Sequence, residues 1–121
     1  MAEIIVLDDM IDAAVLVQKI LTRQGHVVRA FTEEDDFLTH LESSQVDLAI
    51  LDINLKKMSG LEVLEKIKRH KPRVRVIMLT GFPTLDTAKE AIALGAGAYC
   101  VKPVDVRNLE EIVAGELARS S

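Results

Sequence analysis

Four short apolar runs in this chain each stop at a polar side chain. Ile4–Leu7 ends before Asp8 and Asp9, Leu48–Leu51 before Asp52, Val76–Leu79 before Thr80, and Tyr99–Val101 before Lys102. Such short β-rich runs, separated by longer segments of helical pattern, read as strands of a parallel sheet covered on both faces. Between the first and third runs, Ala14, Val17 and Leu21, with Leu16 and Ile20, recur at helical spacing from about Asp12, and Gly25 is placed to end that helix in a left-handed cap. His26–Phe31 is a short second strand. Thr32 then stands before Glu33, Glu34, Asp35 and Asp36, which predicts an N-cap, a first turn of acids on solvated surface favoured by the helix dipole, and a helix through about Leu41. Ser59 and Glu62 form a capping box for a helix that turns Leu61, Leu64 and Ile67 inward and ends in Lys66, Lys68, Arg69, His70 and Lys71 before Pro72. Thr84 opens an Ala-rich helix ending at Gly95, and Asp105 opens a last one from about Val106 to Leu117.

A strand followed by a helix, five times over, predicts an α/β fold. Right-handed crossovers turn this into a doubly wound (βα)5 sandwich of the flavodoxin-like kind, with a parallel five-stranded sheet in the order 2-1-3-4-5. Ligands of such folds bind at the C-terminal edge of the sheet. Asp8, Asp9, Asp52, Thr80 and Lys102 all follow or end strands, so they collect there.

Composition narrows the possibilities. The 121 residues are read as one domain, 1–121, with no linker, repeat or low-complexity segment. A formal net charge of -4 and a pI near 5.3 speak against direct nucleic-acid binding, which needs a basic surface to displace counterions. The basic cluster at the end of the third helix is explained more cheaply by cations at a helix C-terminus. Aromatic residues are only 3% and Trp is absent, leaving few platforms for stacking bases. No apolar run approaches membrane-spanning length, and MAEIIVLDD is not a signal peptide. The one cysteine, Cys100, lies in an apolar run and reads as a small buried hydrophobe, in keeping with a reducing, cytoplasmic setting. His26, His40 and His70 read as surface or loop residues.

Taken singly, Asp8 and Asp9 could cap the first helix, Asp52 end a strand, Thr80 line a turn and Lys102 make a surface ion pair. Together they imply chemistry. Three convergent carboxylates repel unless a cation neutralises them, and an oxygen-only, open set of ligands favours Mg²⁺. A nucleophilic carboxylate beside a metal, an ammonium and a hydroxyl is what aspartyl-phosphate formation requires. The phosphoryl transition state is loose, so positioning and charge neutralisation supply most of the catalysis.

At this point the chain resembles a response-regulator receiver domain, the family whose chemotaxis member exemplifies this strand order. The resemblance covers essentially the whole chain and rests on LDD at Leu7–Asp9, LDINLKKMSG at Leu51–Gly60, LTG at Leu79–Gly81, GAGAY at Gly95–Tyr99, and Lys102-Pro103. It implies a phosphorylation-dependent signalling switch whose own chemistry is limited to self-catalysed phosphoryl transfer and autodephosphorylation. Asp52 would be the phosphoacceptor, Asp9 a direct Mg²⁺ ligand, Asp8 a second acid of the pocket, and the Asn54 backbone carbonyl a further ligand. Lys102 would pair with the phosphoryl group, Thr80 would swing to it as Tyr99 turns inward, and Gly81 would leave it space. A cis Lys102-Pro103 bond is also implied. Partners would be a sensor histidine kinase or histidine phosphotransfer protein, with a possible homodimer through the face of the fourth helix, fifth strand and fifth helix.

Two positions depart from the family pattern. Lys56 stands where receivers commonly have proline, which bears on the rigidity of the loop after the third strand, and Phe82 replaces a frequently polar residue. Three rival readings are weaker. A hydrolase of the haloacid-dehalogenase type would need a second acid where Asn54 stands, and an FMN carrier would meet Asp8 and Asp9 where its phosphate loop should be. A receiver that is never phosphorylated would not need the full set of acids, hydroxyl and ammonium. Whether the chain works alone or within a longer protein is open.

Overall fold

The computed structural model describes residues 1–119. In chain order the elements are β1 (Glu3–Leu7), α1 (Ile11–Thr22), β2 (Val27–Phe31), α2 (Glu34–Ser43), β3 (Leu48–Asp52), α3 (Gly60–His70), β4 (Arg75–Thr80), α4 (Leu85–Ala93), β5 (Ala98–Val101) and α5 (Val106–Arg119). The five strands form one parallel sheet in the order β2-β1-β3-β4-β5, the doubly wound arrangement expected from the alternation of patterns.

Strand residues alternate between two cores, as the period of two demands. Ile5, Leu7, Ala49, Leu51, Val76 and Met78 meet Phe37 and Leu41 of α2, the inner face of α3 and Ala91 of α4. On the opposite face, Ile4, Val6, Leu48, Ile50, Ile77 and Leu79 meet Ala14, Val17, Ile20 and Leu21 of α1, with Leu109 and Val113 of α5. The register sets Leu7 beside Leu51, Leu51 beside Met78 and Leu79 beside Cys100, so the strand ends advance together to one edge.

Several local expectations are corrected. The apolar runs of β1, β3 and β4 are covered on both faces, but β5 lies at the edge of the sheet. Its residues Ala98–Cys100 are half-buried and Val101 is exposed. Cys100 is thus only partly buried, and burial followed by the nearby Glu116 charge pushes its thiol pKa up, away from thiolate reactivity. Leu16 lies outside the core, 47% exposed on the outer side of α1. The N-cap of α2 is Glu33 rather than Thr32. No side chain caps this end, and the Phe37 N–H bonding to the Glu33 carbonyl marks the first helical turn one residue later.

Ser59, Thr84 and Asp105 cap as predicted, but the Ser59–Glu62 capping box does not close, since the Glu62 N–H donates to the Ser59 carbonyl and not to its hydroxyl. Ser59 Oγ accepts from the Leu61 N–H, Thr84 Oγ1 from Thr87, and Asp105 Oδ1 from Asn108. Gly25 and Gly95 have φ of 91° and 104°, the left-handed conformation glycine takes at low cost. In the basic run ending α3, Lys68 extends its ammonium to the carbonyls of Val74 and Pro72, so it holds the turn into β4.

Candidate functional site

The C-terminal ends of β1, β3, β4 and β5 bring Asp8, Asp52, Thr80 and Lys102 to one edge, with Asp9 beside them. One carboxylate oxygen from each of Asp8, Asp9 and Asp52 lies within 4.8 Å of the others. Asp8 and Asp52 are buried, Asp9 half-buried. Helix capping does not account for the acids after β1. The N-cap of α1 is Met10, no side chain caps that helix, and Asp8 Oδ1 instead accepts from the Met10 N–H in the connecting loop.

Lys102 joins the cluster across the sheet. Its Nζ donates to Asp8 Oδ2 at 2.6 Å and to Asp52 Oδ2 at 3.2 Å, and its backbone N–H donates to the Thr80 carbonyl. The Lys102-Pro103 peptide is cis, as the motif implied. Burial lowers the lysine's affinity for its proton, but the Asp8 hydrogen bond and the Asp52 charge outweigh this, and its pKa lies above the ordinary value. Asp52 is held above the ordinary carboxylate range chiefly by burial and also by the Asp8 charge. The Asn54 N–H and Lys102 oppose this without cancelling it. Three acids against one ammonium leave the cluster short of two positive charges.

That deficit and the all-oxygen donor set fit a divalent hard cation. Asp8, Asp9 and Asp52 would hold it, and the Asn54 carbonyl lies on the loop directly beyond Asp52. Two further features shape the edge. Asn54 donates its N–H to Asp52 Oδ1 at 3.1 Å, and its side-chain oxygen accepts from the fully buried Thr80 hydroxyl at 3.2 Å. A Cβ built on Gly81 meets nothing within 4 Å, so packing makes no demand for glycine there.

Tyr99 and Phe82 bond to threonines. The Tyr99 hydroxyl accepts from the Thr84 N–H at 3.3 Å and lies 2.8 Å from Thr87 Oγ1, tying β5 to the first turn of α4. Phe82 donates its N–H to Thr80 Oγ1 while the residue is 76% exposed.

Sequence reasoning missed Glu34. Placed among the solvated acids of α2, it is in fact buried, and its Oε2 accepts from the N–H groups of Lys57 (3.0 Å) and Met58 (3.3 Å) in the loop after β3. Lys56, where proline was absent from the motif, is thus followed by two backbone groups anchored from another element. A signal existed: Glu34, Phe37 and Leu41 fall three and four apart, on one helix face.

Comparison with known proteins agrees with this geometry. The profile of the response regulator receiver domain matches residues 4–114. The transcriptional regulatory protein ZraR of Salmonella typhimurium is 30% identical over 118 residues, covering 98% of this chain and 27% of that protein. The DNA-binding transcriptional regulator NtrC of Proteus hauseri is 37% identical over 101 residues, covering 84% of this chain and 21% of that one. This chain therefore spans about a quarter of the length of these curated relatives. Among solved structures, a CheY-like receiver domain protein from Methanospirillum hungatei superposes with a TM-score of 0.95 at 31% identity, over 99% of this chain and 96% of that one. NtrX from Brucella abortus gives 0.92 at 33% identity, over 98% of this chain and 27% of its own. With the profile running from β1 into α5 and the same fold in its structural neighbours, the chain belongs to the response regulator receiver domain family of two-component signalling.

Proposed function

We propose that this receiver domain is switched by phosphorylation of Asp52, with Mg²⁺ held by Asp8, Asp9, Asp52 and the Asn54 carbonyl. The observation that carries this reading is the single ammonium of Lys102 shared between Asp8 and Asp52 at a carboxylate cluster still deficient in positive charge. The donor is the phosphohistidine of a sensor histidine kinase or histidine phosphotransfer protein. An oxygen of the Asp52 carboxylate attacks phosphorus, the bond from phosphorus to the imidazole nitrogen breaks, and the imidazole keeps the electron pair. The product is an acyl phosphate on Asp52. Bound Mg²⁺ supplies charge neutralisation for carboxylate and phosphoryl oxygens.

The chain's own residues do the rest. Lys102, already poised on Asp52 Oδ2, pairs with a phosphoryl oxygen. Thr80 exchanges its bond to Asn54 for another phosphoryl oxygen, and Gly81 leaves the space in which the group sits. Its movement and that of Tyr99 bias the α4-β5-α5 face, where Leu85, Ile92, Val101 and Val106 are exposed and a partner or second copy docks. The domain acts in the cytoplasm as a signalling switch, with only self-catalysed phosphoryl transfer and autodephosphorylation of its own.

The test is intact-mass analysis after treatment with a small phosphodonor and Mg²⁺. Wild type gains one phosphoryl group and Asp52→Asn does not. Equal labelling of both sinks the assignment, and no labelling of wild type favours a receiver that is never phosphorylated. The haloacid-dehalogenase reading has no second acid: position 54 carries a carboxamide bonded to Thr80.

A further inference from the structure

The loop joining β3 to α3 carries Asn54, and the fold grips it at two ends. At its base the Gly60 N–H donates to the Ile53 carbonyl at 2.8 Å. The backbones approach so closely there that a Cβ on Gly60 would lie 2.1 Å from the Asp52 carbonyl oxygen. Its crown has no such backbone packing: Lys56 and Lys57 are exposed. The crown is instead held by one oxygen of Glu34, which accepts from both the Lys57 and Met58 N–H groups across 23 and 24 residues of sequence.

A carboxylate is an expensive choice for that position. Glu34 is 3% exposed and shares its helix face with the buried Phe37 and Leu41, so an apolar residue would suit packing, while a buried charge must be hydrogen-bonded to be tolerated. The neighbouring Glu33–Lys57 pair, 3.5 Å apart with both side chains more than half exposed, contributes little. Leu55 and Met58 rest their side chains against the core, and Glu34 supplies the hydrogen bonds that fix the crown's backbone.

We infer that Glu34 is a positioning residue for the phosphoryl site. By fixing Lys57 and Met58 it fixes the path of residues 53–59, and with it the direction of the Asn54 carbonyl and the Asn54 side chain that holds Thr80. Glu34 itself touches none of the reacting atoms. This inference rests on the proposed reading of Asp52 and its Mg²⁺ site.

Three variants separate position from charge. Glu34→Ala removes the acceptor and the charge; Glu34→Gln keeps an acceptor oxygen and removes the charge; Glu34→Asp keeps the charge and withdraws it by one methylene. Mg²⁺ titration and amide hydrogen exchange at Lys57 and Met58 are measured for each and for wild type. Glu34→Ala and Glu34→Asp lose amide protection and bind Mg²⁺ about tenfold more weakly, the scale seen when groups that orient metal ligands are removed. Glu34→Gln keeps protection and stays within about threefold of wild type, well short of that loss. Should Glu34→Ala not fold, the Asp and Gln pair carries the same contrast. If Glu34→Gln loses as much affinity as Glu34→Asp or Glu34→Ala, the effect is one of charge and the inference is overturned. It is equally overturned if amide protection is lost with no change in Mg²⁺ affinity, since the carboxylate is then a loop anchor only. Failure of the underlying reading looks different: wild type itself shows neither Mg²⁺ binding nor labelling of Asp52.

Discussion

Replacing Lys102 by Met keeps most of the side chain's volume and removes only its charge, and two opposed effects follow. Stability falls. Two charge-assisted hydrogen bonds, at 2.6 and 3.2 Å, are lost, each worth roughly 1.5–3 kcal/mol. The acids left behind lie within 4.8 Å of one another, and two unit charges at that distance repel by about 3.5 kcal/mol at an effective dielectric of 20. Part of this cost is relieved by relaxation and water entry around the freed carboxylates. The net loss at pH 7 is then about 3 kcal/mol, the lower end for breaking a buried pair, or a fall in Tm of roughly 10 °C or more.

Mg²⁺ affinity rises at the same time. Over a separation on the scale of the 4.8 Å that spans the carboxylate oxygens, a divalent ion and an ammonium would repel by ~1.7 kcal/mol even at the dielectric of water, so removing the ammonium tightens binding about fifteenfold or more. Added Mg²⁺ therefore stabilises Lys102→Met more than wild type, through preferential binding to the folded state. The pH dependence carries the sign of Asp52. An acid whose folded pKa is raised binds its proton more tightly when folded, so stability falls as pH rises from the ordinary carboxylate value through the raised one. In the variant, which has lost the ammonium that holds the Asp52 pKa down, that fall extends to higher pH. Lys102 does not titrate in this range, since its pKa is raised and its contribution disappears only above the ordinary lysine value. Urea denaturation from pH 5 to 8 with and without Mg²⁺ reads both effects. A variant as stable as wild type, or one binding Mg²⁺ no more tightly, refutes Lys102 as the cluster's counter-ion.

Three further outcomes follow from the same edge. Asp52→Asn, without metal, is more stable than wild type at pH 7 by about 1–2 kcal/mol, as expected when a strained functional site is relaxed; urea denaturation checks it, and destabilisation contradicts the repulsion argued above. Thr80→Ala is phosphorylated but lacks the NMR chemical-shift changes of wild type on the α4-β5-α5 face, and a full set of shifts places the switch elsewhere. We propose that the exposed Phe82 ring screens the acyl phosphate from water, so Phe82→Ala loses its phosphoryl group faster with nearly unchanged Mg²⁺ affinity; an equal or slower decay rate shows that it guards nothing.

The sheet was legible because its signal is redundant. Three apolar strands covered on both faces each end in a polar residue, and parallel register delivers those residues to a common edge without any side-chain detail. The acids of α2 were not legible by composition. Glu33 and Glu34 are adjacent and chemically identical, yet one is exposed and the other buried, and only helix phase separates them. Phase was equally informative on α5, where Leu109, Val113 and Glu116 fall on one face. The Glu116 carboxylate is buried against Arg75 at the far end of the sheet, in space that a Cβ at Gly97 would occupy. An acid at an apolar position of a helix marks a buried hydrogen bond more surely than a run of acids marks solvent. Thr32 misled for a different reason: hydroxyl propensity is a prior for a cap, and here the backbone enters the helix one residue later.

The hydroxyl pair of the proposed switch starts from committed positions, and this sets the energy the switch must supply. Thr80 Oγ1 donates to Asn54 and accepts from Phe82, while the Tyr99 hydroxyl is engaged with Thr84 and Thr87. Each of these bonds is neutral, worth about 0.5–1.5 kcal/mol net. Exchanging the Thr80–Asn54 bond for one to a phosphoryl oxygen returns roughly 1.5–3 kcal/mol, as bonds to charged groups do. The surplus is comparable with the 1–3 kcal/mol typical of coupling between sites. It is enough to release Tyr99 from α4 only if α4 is loosely held. That condition is met: of the nine residues of α4 only Ala91 is buried, and Leu85 and Ile92 are exposed. Its first turn depends on Thr84 and Thr87, the same residues the Tyr99 hydroxyl engages. Turning that one ring therefore weakens the helix end and changes the apolar surface beside it, with no rearrangement of the sheet.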